Sequence, residues 1–299
     1  MDFQGITRKI KGNNLTAEHF AITIREISMR LKLLPLITRL LYPVRWYIRN
    51  VSYPRGKGFL IYKIIVPLLP PQPECFTHTL PCGGSVRLQF REDLGIVAWS
   101  WGGYEEAELN YIANTVRPGA TVIDVGANIG IFTISLAVAV GENGRVWSFE
   151  PLMENLKRLK ENINLNGSKN IDLFPVGLGD FCGELDMYLS NDLAYASTTR
   201  LVNKQISVET RKIEIRRLDD LWQEAERPQV DFIKIDVEGS EINVLHGAKK
   251  LITTCKPRII IEAHNSRQLQ ILSEFFKEID YSSHQPDGFD SWNYLFSPC

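Results

Sequence analysis

Between Val122 and Gly130 the chain reads Val-Ile-Asp-Val-Gly-Ala-Asn-Ile-Gly. A short apolar strand breaks into a glycine turn and passes at once into Ile129 to Val140, a charge-free stretch that reads as a helix buried against a sheet. A βα unit of this kind confines the chain to an α/β fold with a parallel sheet. Gly126 lets the backbone turn and approach a ligand with no Cβ in the way, and Gly130 lets the helix pack close to the sheet. The spacing is Gly-x-x-x-Gly after Asp124, not the Gly-x-Gly-x-x-Gly that carries a dinucleotide pyrophosphate. With no pyrophosphate to cradle, an acid beside the turn suits a ligand that bears an ammonium group.

The alternation of strand and helix continues. Val146 to Glu150 is a second strand whose terminal acid stands where an α/β fold places a ribose-binding carboxylate. Either feature alone is ordinary; together, in this order, they point to a nucleotide-like cofactor. Glu154 to Asn164 reads as a helix ended by Asn166-Gly167, and Ile171 to Leu178 as a third strand leading to Gly179-Asp180. A fourth strand, Val230 to Ile235, delivers Asp236 and Glu238 to the same sheet edge as the glycine turn, and Gly239 permits a tight exit into a helix over Ser240 to Leu251. Such carboxylates can orient an acceptor, take its proton or hold a divalent cation, and capping of the following helix competes for one of them. The fifth strand, Arg258 to Ile261, ends in Glu262-Ala263-His264-Asn265. His264 is the candidate general base, with an ordinary pKa near ~6.5, against its other reading as a hydrogen-bonded spacer. Glu262 either orients it or binds a metal with Asp236, but acids spread over two strands form no clear ligand motif, so no metal site is assigned. Residues 181–228 interrupt the alternation with β pieces at Glu184 to Leu189 and Ser207 to Ile215. The polar stretch between them, with Tyr195, Ser197, Thr198, Thr199 and Arg200, reads either as a wall of an acceptor pocket or as a solvated hairpin loop.

On these residues the chain resembles the FkbM family of S-adenosyl-L-methionine-dependent methyltransferases. The match lies in Val122 to Gly130, Phe149-Glu150-Pro151, Leu178-Gly179-Asp180, Leu218-Asp219-Asp220-Leu221 and, most specifically, Ile233-Lys234-Ile235-Asp236-Val237-Glu238-Gly239-Ser240-Glu241. Glu105 and Glu108 resemble the family's acidic lead-in, and the likeness runs over roughly residues 104 to 265. It implies a Rossmann-like class I methyltransferase sheet. It also implies a cofactor site in which Gly126, Asn128 and Gly130 surround the methionine part, Asp124 and Glu105 meet its ammonium, Glu150 the ribose and Asp180 the adenine amino group. Asp236 and Glu238 would stand beside the transferable methyl, and the acceptor would be a hydroxyl of a saccharide, glycolipid or secondary metabolite. Two other classes stay open: a non-catalytic module that binds the same cofactor, and a nicotinamide-dependent oxidoreductase, which the glycine spacing disfavours.

The first hundred residues carry no part of the likeness. Residues 1–70 hold 12 Lys and Arg against 3 Asp and Glu, and the rest 22 against 32, so a front of +9 precedes a body of −10. An acidic catalytic part argues against a nucleic-acid substrate. Thr16 is a candidate N-cap for a helix with Phe20, Ile24, Ile27, Leu31 and Leu34 on one face, stopped by Pro35. A second apolar and basic piece, Leu36 to Arg49, contains Arg39, Arg45, Trp46 and Arg49 and is bent by Pro43. Residues 16–50 therefore read either as a peripheral membrane contact or as a helical layer packed on the catalytic domain or a second subunit. Phe59 to Leu69 is too short to span a bilayer, which takes about 20 apolar residues. With no secretory signal legible, the expected location is the cytoplasm, at the membrane face if residues 16–50 dock there. Five scattered cysteines fit free thiols. The expected division is a basic, largely helical extension with a Pro-rich linker over 1–75. A catalytic domain over 76–299 follows, with a β-rich lead-in at 76–103, the insertion at 181–228 and an edge hairpin from Tyr281 that turns at Pro286-Asp287-Gly288. The oligomeric state is left open.

Overall fold

The computed structural model describes residues 33–50, 57–70, 74–190, 196–197 and 208–299. The helix expected from Thr16 falls almost wholly outside these residues, as do Tyr195 and Thr198 to Arg200. The chain packs as two compact units, one taking the residues up to Phe76 with Leu88–Tyr104, the other Thr77–Arg87 with Glu105–Cys299.

In the first unit a helical turn run over 33–40 breaks at Leu41, and α1 (Tyr42–Asn50) restarts with Pro43 in its first turn, where its missing N–H costs nothing. A helical stretch over 57–68 has π-type hydrogen bonding at Leu60–Ile65. Leu41, Ile48, Ile61, Ile65 and Leu69 form a core with Phe90, Ile96 and Trp99, the last two on α2 (Asp93–Trp101). Part of the basic front is thus built into the core of this first unit.

The second unit begins in the tip of a hairpin, β1 (Cys75–Thr79) and β2 (Ser85–Gln89), and continues through α3 (Glu106–Thr115), β3 (Thr121–Val125), α4 (Ile131–Val140), β4 (Arg145–Phe149), α5 (Met153–Asn166) and β5 (Ile171–Phe174). After β6 (Gly177–Leu178), β7 (Gly183–Ser190), β8 (Ala196–Ser197) and β9 (Val208–Arg216) come α6 (Leu218–Glu224), β10 (Phe232–Ile235), α7 (Glu241–Gly247), α8 (Lys249–Cys255), β11 (Arg258–Glu262), α9 (Ser266–Glu278), β12 (Tyr281–His284) and β13 (Asn293–Pro298). A seven-stranded sheet has the order β12-β13-β11-β10-β3-β4-β5. From β11 to β5 every pairing is parallel, and β13 enters antiparallel to both neighbours. Its central strands are buried on both faces, which is why they read as nearly unbroken apolar runs. This is the expected Rossmann-like sheet. The strand order reverses at β3, between β4 and β10, and in open α/β sheets ligands bind at the carboxyl ends beside such a point.

Two expected elements are cut differently. The strand read over Ile171 to Leu178 stops at Phe174, because Pro175 has no N–H to give the ladder, and Gly177–Leu178 pairs instead with β9 in the insertion sheet β6-β9-β7-β8. The helix read over Ser240 to Leu251 is two helices meeting at Ala248: the Asp219 carboxylate accepts from the N–H groups of Lys250 (3.0 Å) and Leu251 (2.8 Å) and so caps the second one. The edge hairpin forms as expected, with Gly288 at φ 86° in a turn closed by Phe289 N–H to Pro286 O. Buried Glu108 anchors it, accepting from Asp290 N–H (2.5 Å) and Asn293 Nδ2 (3.0 Å).

Candidate cofactor and acceptor site

The loop after β3 is fastened to the end of β4. Gly126 and Ala127 both donate to Phe149 O (3.0 and 2.9 Å), and Asn128, at φ 50°, donates its N–H to Glu150 Oε2 at 2.9 Å. Glu150 Oε1 accepts from Leu152 N–H (2.9 Å) and Asn155 Nδ2 (3.3 Å). Burial pushes the Glu150 carboxyl up to about 7 against the pull of these donors. Glu150 and the glycine turn thus lie together. Gly126 has a more demanding reason to be glycine than ligand approach: at φ 83° a Cβ there would land on the carbonyl oxygen of Asp236. Gly130 is short of room as well, but against a helix and not the sheet that the sequence suggested: a Cβ there would strike the Leu159 side chain of α5.

Asp124 is the fourth residue of β3 and fully buried. Its Oδ2 accepts from Thr133 Oγ1 (2.5 Å), which also contacts Ser148 Oγ (2.8 Å) on the adjacent strand. Its Oδ1 is buried with no hydrogen-bond partner among the described residues. Burial raises its pKa. Across β3 and β10, Asp124 is in register with Lys234, whose Nζ lies 2.8 Å from Asp236 Oδ2 and 4.5 Å from the Phe132 ring centroid. Burial works against the Lys234 ammonium, but Asp236, Asp124 and Glu105 outweigh it and hold the pKa well above its usual value. Glu105, at φ 46° ahead of α3, thereby belongs to the same electrostatic group.

The parallel register Ile235↔Ile261 sets Asp236 beside Glu262. Burial alone would raise Asp236; Lys234 reverses that and keeps it below the ordinary carboxylate range. Burial, with the Asp236 charge added, pushes Glu262 up to about 10, so Glu262 keeps its proton at neutral pH. His264 Nε2 lies 3.5 Å from Glu238 Oε2 and 3.4 Å from Glu262 Oε2. Its imidazole stands above the usual histidine pKa, Glu238 being the chief cause. Asp236, Glu238, Glu262 and His264 are therefore one cluster, with the Trp292 ring centroid 6.3 Å from that of His264. No group of three or more His, Cys, Asp or Glu with metal-holding geometry occurs among the described residues.

Glu241, the first residue of α7, ties down the loop that carries Asp236 and Glu238: its Oε1 accepts from Val237 N–H (3.3 Å) and Gly239 N–H (3.0 Å). Gln268 links the two acid-bearing loops, donating to Glu241 Oε2 and accepting from His264 N–H (2.9 Å). Asp180 is exposed in the turn after β6, and a Cβ on Gly247 of α7 would land on the carbonyl of Gly179 beside it.

A family model described as the methyltransferase FkbM domain matches residues 124–285, more than half of the chain. The chain belongs to the FkbM methyltransferase family. Among its relatives, the AMB antimetabolite synthetase AmbE of Pseudomonas aeruginosa is 28% identical over 184 residues, covering 50% of this chain and 9% of AmbE. The 2-O-methyltransferase NoeI of Sinorhizobium fredii is 28% identical over 171 residues, 51% of this chain and 66% of NoeI. The hexuronic acid methyltransferase AglP of Haloferax volcanii is 30% identical over 141 residues, 47% of this chain and 54% of AglP. The chain thus spans less than two thirds of the length of these curated relatives. The FkbM match takes in the glycine turn, Glu150, the β10 loop and His264, and leaves out Glu105 and the whole first unit. Lys234, Glu241, Glu262 and Gln268 tie the β10 and β11 ends of this rim together, and motif reading undervalued them. Lys234 was visible as the one basic residue in an apolar strand, but its partners follow only from strand register.

Proposed function

We propose that this FkbM-family chain transfers a methyl group from S-adenosyl-L-methionine to a hydroxyl oxygen of a saccharide or saccharide-bearing small molecule. The observation that carries the reading is the fastening of Asn128 to Glu150 at the same sheet rim that holds Asp236, Glu262 and His264. The donor suits this rim on two counts: Asp124 Oδ1 is a buried acceptor in need of a donor, and Glu150 is a buried carboxylate at a strand end. In this reading Asp124 and Glu105 face the ammonium, Asn128 lines the methionine part, Glu150 accepts from the ribose hydroxyls and Asp180 meets the adenine amino group. The donor supplies a methyl carbon already activated by its sulfonium, so the protein need only align an acceptor oxygen and take its proton.

His264 is the group to take that proton, with Glu238 and protonated Glu262 flanking Nε2 and Asp236 ionised next to Lys234. The names of NoeI and AglP, a 2-O-methyltransferase and a hexuronic acid methyltransferase, support oxygen and saccharide as the acceptor class. The reading includes no nucleic-acid partner and a cytoplasmic location; no helix among the described residues is long and apolar enough to cross a membrane.

Calorimetric titration of the purified chain with S-adenosyl-L-methionine and with NAD, followed by methyl-transfer assays on a saccharide panel, tests the proposal. Donor binding is expected for the first ligand alone. Glu150→Ala should weaken it at least about ten-fold while costing about 2 kcal/mol of stability, because the half-buried N–H groups of Asn128 and Leu152 lose their acceptor. NAD binding in its place would overturn the reading, and donor binding without transfer to any acceptor would leave a binding module.

A further inference from the structure

The longest acid-free stretch near the N-terminus runs from Ile27 to Pro73 and carries eight Lys and Arg. Within it α1 is two-faced. Ile48 is buried in the first unit's core, while Tyr42, Trp46 and Arg49 lie on the opposite side. Tyr42 is 65% and Trp46 52% exposed, and among the described residues nine of the fifteen exposed large hydrophobic side chains belong to this unit, including Leu40 at 68% and Phe59 at 65%. Apolar exposure is thus concentrated where the acids are missing. Aromatic and aliphatic side chains interleaved with cations on one helical surface have the composition that settles in a bilayer interface and is drawn there by anionic headgroups.

Tyr42, Arg45, Trp46 and Arg49, spaced one turn apart, also line a concavity of about 300 Å³. Both guanidiniums are held from behind. Arg45 Nε donates to Trp99 O (3.1 Å) with its guanidinium 4.1 Å from the Trp99 ring centroid, and Arg49 donates through Nε to Ser100 O (3.3 Å) and through Nη2 to Trp99 O (3.2 Å). The carbonyls occupy part of each fork and leave further N–H groups for a ligand, which for paired arginines means an oxyanion such as a phosphate.

We infer that this face of α1 docks on an anionic lipid surface, with the concavity between Arg45 and Arg49 receiving a lipid phosphate. Docking there would set the chain at a membrane, where a lipid-linked acceptor is presented. The inference stands on the first unit alone and does not depend on the donor chemistry.

The test is flotation of the full chain with phosphatidylcholine vesicles, with and without phosphatidylglycerol. Binding is expected only when phosphatidylglycerol is present, and should weaken as salt screens the headgroups. Trp46→Ala and Tyr42→Glu, both at exposed positions on this face, should each reduce it about ten-fold or more, with circular dichroism unchanged. Equal binding to both vesicle types, or undiminished binding by both variants, would overturn the inference. So would inorganic phosphate that displaces the protein at concentrations equal to the lipid phosphate, since the site would then be one for free anions. A dimer in vesicle-free buffer that Trp46→Ala dissociates would also reject it, because the face would then cover a second copy of the chain.

Discussion

Lys234 is buried among Asp124, Asp236 and Glu105, and its single ammonium decides which of the neighbouring carboxyls is charged. Asp236, at 2.8 Å, is held ionised; Glu262, one strand over and without its own cation, retains a proton. His264 meets this arrangement from the solvent side, where Glu238 favours the imidazolium and raises the pKa. A base must be neutral to accept a proton, so methyl transfer should rise with pH along a limb centred above the ordinary histidine value of ~6.5. Glu238→Gln removes the main cause of the upward shift and should move the midpoint of the pH–rate profile down. A midpoint that stays in place would exclude His264 from the role. The acids and the histidine were legible as strand-end residues, because chain order alone puts strand ends at one rim. Lys234 was not, since a lysine in an apolar strand reads as an interruption until cross-strand register shows what lies beside it.

At the scale of elements, the rim is built by β3 and β10 approaching so closely that residue 126 has no room for a side chain. Gly126→Ala should destabilise the chain by about 3 kcal/mol or more, combining a positive φ with a clash against backbone that cannot rotate away. Urea unfolding measures this directly, and a loss below about 1 kcal/mol would show that the strand ends can part. Apolar runs separated by glycine turns made the parallel core readable, and the C-terminal hairpin was readable from its turn residues. The break at Ala248 was not, because the cap on α8 comes from Asp219, distant in sequence. The end of β5 carried a signal in Pro175 that the apolar run around it masked.

For the whole molecule, the raised carboxyls give stability a definite pH dependence. Glu150 has a native pKa of about 7 against 4.5 unperturbed, so between those values the folded chain holds a proton that the unfolded chain has released. Stability therefore falls as pH rises through that window, and Glu262 carries the fall further toward 10. His264 acts in the same direction, as its folded pKa is also raised; Asp236 acts in the opposite sense, but only in acid below this range. The melting temperature of the ligand-free protein should decline between about pH 5 and about pH 8. Glu150→Gln, which mimics the protonated acid, should flatten the lower half of that decline, and an unchanged slope would mean that Glu150 titrates normally.

The meeting of residue 126 with the Asp236 carbonyl has a mechanical corollary. A shift of the loop after β3 toward the loop after β10 would meet main chain, which cannot rotate out of the way as a side chain can, so the crevice between the two strand ends has a fixed floor.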